Sequence, residues 1–94
     1  MTGDAVRRAV IDALTGVAPE IDAAAIDSDA SLRRAYDLDS MDYLHFIIAL
    51  HAKLGVTVPE EDYGQVATVN GAVAYLLARL STVTPTLNDG RATD

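Results

Sequence analysis

The sequence predicts an all-α fold: a small four-helix bundle of three main helices and one short helix, with a long loop between the first and second. Three observations lead there. Half of the residues are hydrophobic, yet the aromatics are four Tyr and one Phe, so the core must be built from Val, Ile, Leu and Ala. Three separate stretches space those residues at the helical period. The one stretch that alternates like a strand, "GVTVP", is too short and has no second strand to pair with.

Val6, Val10, Ala13, Leu14 and Val17 fall at i, i+4, i+7, i+8 and i+11, with Arg7, Arg8 and Asp12 on the other side, which marks an amphipathic first helix. Gly16 is placed to end it. From Gly16 to Asp39 no period holds, and a connection of that length in a compact domain must be functional or pinned down. Ile21, Ile26, Leu32, Tyr36 and Leu38 are spaced to pin it, and Asp29 or Ser31 can cap one turn at "LRRAY". The second helix begins at Asp39 or Ser40 and runs to about Leu54, where Gly55 stops it. "GVTVP" is then a link. Pro59 suits the first turn of a short helix over "EEDYGQV". Thr68 caps the last helix, whose Val69, Val73, Leu76 and Leu80 repeat the spacing of the first. The polar stretch 81–94, with its proline and glycine, reads as a disordered tail, leaving 1–80 as the domain.

A chain of 94 residues fits one domain. It buries only about 60–65% of its unfolded surface, which leaves little room for an internal active-site cavity. Fourteen acids against seven Lys and Arg give a net charge of −7. That balance argues against nucleic acid, whose phosphates need a basic patch larger than Arg7–Arg8 or Arg33–Arg34. With no cysteine there is no disulfide, no thiolate nucleophile and no Cys-based metal site. The N-terminal "MTGDAVRRAVIDAL" is broken by charge too often to be a signal peptide or a membrane span, so a cytoplasmic location is expected.

The second helix is unusual. Tyr43, Phe46, Ile47, Leu50 and Leu54 make a complete core stripe, yet Met41, Leu44, Ile48 and Ala52 make another. With only two other long helices to cover it, one flank should face water and form a docking strip. Ser40 stands beside that strip, in "DLDSMD". By composition a cap is the commoner use of such a serine, and Asp39 with Asp42 three positions on resembles a capping arrangement. As an enzymatic nucleophile it lacks a triad: neither His45 nor His51 is evidently its base, and no oxyanion loop is apparent. The two histidines are not one metal site either, since six residues turn about 240° around a helix. The serine is better read as acted upon than acting, and the chain as having no catalytic activity of its own.

From about Val6 to Leu80 the pieces resemble the acyl carrier proteins, in register: a first helix, a long loop, "LDSMD" opening the second helix, "GVTVPEED" after it and "ATVNGAVAYL" opening the last. The resemblance implies that Ser40 bears 4′-phosphopantetheine taken from coenzyme A and carries acyl intermediates as thioesters between enzymes of a fatty-acid, polyketide or related pathway. It implies that Asp39 contacts the Mg²⁺ of the loading phosphopantetheinyl transferase. Partners would dock on Met41, Asp42, Leu44, His45 and Ile48, and Phe46, Ile47, Leu50, Val69 and Val73 would line a shelter for the acyl chain. The partners so implied are that transferase and acyl-ligase, synthase or transferase enzymes of a dedicated pathway, met by a monomeric carrier. Two departures point to a specialised member: Asp37 stands where the family usually has glycine, and His45, His51, Ala52 and Lys53 replace glutamates of the second helix. The alternative reading is a helical adaptor that docks through the second helix without ever being loaded.

Overall fold

The structure, a computed structural model, describes residues 2–83, the last three by their backbone alone. Helix α1 (Gly3–Val17) starts at Thr2, whose Oγ1 accepts from the Ala5 amide at 3.1 Å. Val6, Val10, Ala13 and Leu14 are buried along one face. Gly16 does not end this helix. It stays within the last turn, and the chain leaves helical space at Ala18 (φ −131, ψ 81). The next residue, Pro19, disfavours helical geometry in the residue before it, so the proline sets the boundary that the glycine suggested.

The long connection is ordered by apolar and polar anchors together. Leu32 and Leu38 are buried, and Ile21, Ile26 and Tyr36 pack half-buried against the same core. A 3₁₀ turn (Ala23–Ala25) is capped by Asp22, and a one-turn helix, α2 (Leu32–Ala35), by Ser31. Arg7 of α1 donates to Ser28 Oγ at 2.9 Å and also to Asn70 Oδ1. Asn70 in turn donates to Asp29 Oδ1 at 2.6 Å, and its amide bonds the Ser28 carbonyl at 3.0 Å. The Leu32 amide reaches the Ala67 carbonyl at 2.9 Å. The loop is thus stitched to both the first and the last helix.

Helix α3 (Ser40–Leu54) ends where expected, with Gly55 left-handed at φ 71 and its N–H on the His51 carbonyl at 2.8 Å. In the link that follows, Val56 and Val58 point into the core and Thr57 outward, an alternation without a sheet. Among the described residues there is no strand. A 3₁₀ helix (Glu60–Val66) follows Pro59, whose carbonyl takes the Asp62 amide at 2.9 Å. Asp62 accepts from Tyr75 (2.7 Å), Arg79 (2.9 Å) and Gln65 (3.2 Å), tying this element to the last helix, α4 (Val69–Val83). Thr68 caps α4 by accepting from the Gly71 amide at 2.9 Å. Gly71 has to be glycine here, because a Cβ would lie 2.8 Å from the Gln65 carbonyl oxygen.

Helix α1 packs against both α3 and α4, and the 3₁₀ helix lies on α4. One core results, with Val6, Leu14, Leu32, Phe46, Leu50 and Leu76 fully enclosed. The fold is all-helical, as the sequence predicts. Helix α4 runs on to Val83, past the expected limit at Leu80, and the rest of the expected tail, 84–94, lies outside the described residues. Among the described residues no helix is long and apolar enough to cross a membrane.

Candidate functional site at the start of the third helix

Asp39, not Ser40, caps α3. Its Oδ1 accepts from the Asp42 amide at 2.8 Å, while Asp42 Oδ2 accepts from the Asp39 amide at 3.4 Å, a reciprocal capping box that fixes the first turn. Ser40 is therefore the first helical residue and is released from the capping role. Its hydroxyl is exposed, and its partner among the described residues is the Arg33 guanidinium, with Nη2 at 3.4 Å from Oγ. At that distance the bond is weak and easily exchanged.

The chain approaches this turn through strained backbone. Asp37 has φ 54, in the left-handed region that favours glycine and that Asp and Asn tolerate better than other side chains. This explains in physical terms why a glycine would sit comfortably at that position. The Leu38 amide bonds the Arg33 carbonyl at 3.0 Å across the bend, which brings α2 beside the start of α3.

Among the described residues, neither histidine is hydrogen-bonded to Ser40. His45 is exposed, and His51 turns back toward the link, its Nδ1 3.4 Å from both the Val56 carbonyl and Thr57 Oγ1. Among the described residues, no group of three His, Asp or Glu is placed to hold a metal ion.

The surroundings of Ser40 divide into a polar cleft and an apolar one. The first, about 480 Å³, is lined by Arg33, Ser40, Tyr43, Leu44, Glu60 and Tyr63. The Arg33 guanidinium lies 5.7 Å from the centre of the Tyr43 ring. Tyr43 is itself buried and donates its hydroxyl to the Tyr63 carbonyl at 2.6 Å. Burial pushes the Tyr43 phenol pKa above its ordinary value; Arg33 pulls it back and Tyr63 adds to the rise. The second cleft, about 300 Å³, shares Leu44 and Tyr63 with the first and continues along Ile47, Ile48 and Val58.

The apolar stripe outside the core is exposed: Met41 at 58%, Leu44 at 37% and Ile48 at 54%. Asp42 and His45 lie among these residues in sequence, Asp42 half-buried and His45 exposed. The five residues of the other expected group are in the core, with Phe46, Leu50 and Val69 fully enclosed and Ile47 and Val73 nearly so. Sequence reading missed the part played by Arg33, Glu60 and Tyr63. Their only signal was composition, since they line the cleft at Ser40 from two other elements and share no period with it.

An exposed hydroxyl on the first turn of a helix is well placed to carry an anionic ester, because the first-turn amides and the helix dipole favour negative charge there. Arg33 adds a cation within reach, and among the described residues it has no carboxylate within ion-pair distance. The residues thus fit a phosphodiester. Residues 8–76 match the family described as "Phosphopantetheine attachment site". The chain belongs to the acyl carrier protein family.

Curated relatives carry the same name. An acyl carrier protein of Renibacterium salmoninarum is 31% identical over 67 residues, covering 71% of this chain and 78% of the relative. One of Helicobacter pylori (strain G27) is 32% identical over 56 residues, 60% of this chain and 72% of the relative. One of Treponema pallidum (strain Nichols) is 28% identical over 62 residues, 66% and 80% respectively. The cofactor of this acyl carrier protein family member is covalently attached 4′-phosphopantetheine. That group ends in a thiol, a sulfur function that the cysteine-free chain lacks.

Proposed function

We propose that Ser40 Oγ is the attachment point of the phosphopantetheine arm, and that the chain shuttles acyl groups as thioesters between enzymes of a fatty-acid, polyketide or related pathway without catalysing a reaction itself. The observation that carries this reading is the exposed Ser40 hydroxyl on the first turn of α3, freed from capping by Asp39 and lying beside an exposed apolar strip. A carrier needs its arm at an end of the fold that partners can reach, and needs a surface they can recognise next to it. A tethered acyl group then meets each partner at high effective concentration.

On this reading the loading transferase supplies the base that Ser40 lacks, and Asp39 contacts its Mg²⁺ from the capping position. Met41, Leu44 and Ile48 give partners an apolar contact, with Asp42 and His45 as its polar edge. Replacement of acids by His45, His51 and Lys53 along α3 favours partners of a dedicated pathway over enzymes whose basic patches read a row of glutamates. The carrier would work as a monomer in the cytoplasm.

Intact mass after incubation with coenzyme A, Mg²⁺ and a broad-specificity phosphopantetheinyl transferase tests the assignment. The parent chain should gain one phosphopantetheine and Ser40→Ala none. Because Asp39 is the cap, Ser40→Ala should alter stability by no more than about 0.5 kcal/mol, so loss of loading reads on chemistry and not on folding. Loading of Ser40→Ala, or of neither protein including that recovered from its native cells, would refute the assignment.

A further inference from the structure

The resemblance leads one to expect that the acyl chain is sheltered in the core between α3 and its neighbours. We infer instead that Tyr43 bolts that route shut and keeps the acyl group outside, in the apolar cleft beside α3. The inference rests on Ser40 as the attachment point.

Ser40 and Tyr43 are three residues apart in one helix and so share a face, with Phe46, Ile47 and then Leu50 following below. A chain entering the core from Ser40 along this face meets Tyr43 first. Its ring is fixed from three sides. The hydroxyl donates to the Tyr63 carbonyl at 2.6 Å, spanning from α3 to the 3₁₀ helix. The ring meets Tyr63 edge-on, with centres 6.1 Å apart, and Phe46 at 6.0 Å. On the side of Ser40, the Arg33 guanidinium lies over it. Swinging the ring aside would strand a phenol from its acceptor within a buried setting, and leaving a buried polar group unpaired is costly. Behind it Phe46, Leu50 and Val69 are fully enclosed.

The same residues mark the alternative route. Leu44 and Tyr63 line both the cleft at Ser40 and the apolar cleft beyond it, so the two adjoin along these side chains. An acyl chain leaving the first finds Ile47, Ile48 and Val58 in the second. That cleft also borders the exposed strip of Leu44 and Ile48, so a partner docking there displaces the chain from its resting place toward the partner's own site.

The chain has no cysteine, so Ser40→Cys offers one thiol for coupling alkyl iodoacetamides of graded length, independently of any transferase. Methyl NMR then locates the alkyl chain. An octyl group should shift Leu44, Ile48 and Val58 and leave Leu50, Val69 and Val73 unmoved. In Ser40→Cys with Tyr43→Ala the core methyls should shift, increasingly with chain length; Tyr43→Val takes its place if the alanine variant does not fold. Core shifts with Tyr43 intact would overturn the inference, as would core methyls that stay unmoved after Tyr43 is truncated. Since the label needs no loading, a failure here is distinct from a failure of Ser40 to accept phosphopantetheine.

Discussion

On one side of α3, Tyr43, Phe46, Ile47 and Leu50 are closed off by the rest of the bundle; on the other, Met41, Leu44 and Ile48 are just as apolar and meet solvent. The helix itself does not distinguish the two faces, since both repeat at the same spacing. What separates them is the supply of neighbours: α1 and the segments after α3 cover one flank, and among the described residues nothing covers the other. The inner face should therefore govern stability and the outer face recognition, a separation that substitution can break or sharpen.

The largest effect should come from Phe46→Ala, which empties a fully enclosed site and should cost about 3–5 kcal/mol in urea unfolding. For a small domain that is a large share of a total of roughly 5–15 kcal/mol. A smaller loss, about 0.5–1.5 kcal/mol, is expected from Tyr43→Phe, which deletes only the hydroxyl bonded to Tyr63. The pH dependence separates that bond from mere packing. Tyr43 and Tyr75 both have folded pKa values raised above the ordinary tyrosine value, chiefly by burial, with the Asp62 hydrogen bond adding to Tyr75. The folded state then holds these protons more tightly than the unfolded state, so the stabilisation is complete below about pH 10 and is lost as pH rises beyond it. Tyr43→Phe should flatten part of that alkaline loss, seen as a shallower fall of the urea midpoint.

On the outer face, Ile48→Ser should leave the unfolding midpoint within about 0.5 kcal/mol of the parent. Its effect should appear in recognition instead, lowering kcat/KM for loading by about fivefold if Ile48 supplies on the order of 1 kcal/mol of docking energy. A large loss of stability with unchanged loading would erase the distinction between the faces. The smallest change is expected next to the site: Asp37→Gly relieves the left-handed backbone at the cost of a more flexible unfolded chain, for a net gain of about 0.5 kcal/mol. Asp37→Val at the same φ should instead destabilise, and the pair of midpoints checks the sign.

The features that could be read directly from the residues were those with a period or a local cap. The four buried positions of α1, the core stripe of α3, the Gly55 stop and the Thr68 cap all follow from short-range rules. Gly16 misled because two signals for one boundary compete, and the proline three positions on prevailed. Ser40 and its exposed neighbours were legible because the motif and the second apolar stripe lie on one helix. Arg33, Glu60 and Tyr63 were not, because a contact between separate elements leaves no pattern along the chain. The link from Arg7 to Asn70 spans 63 residues and that from Asp29 to Asn70 spans 41, and nothing in the spacing of either announces it.

Those long-span links bear on how the arm's anchor is held. Ser40 sits at the end of a loop whose other attachments are to α1 and α4, so that loop is released only when both helices loosen their hold on it. Amide hydrogens of the Leu32 turn should then exchange with solvent in step with those of the outer helices, as one cooperative unit. The serine owes its position to the closure of the bundle as well as to the local capping box. A partner that tugs on the arm pulls against all of it at once.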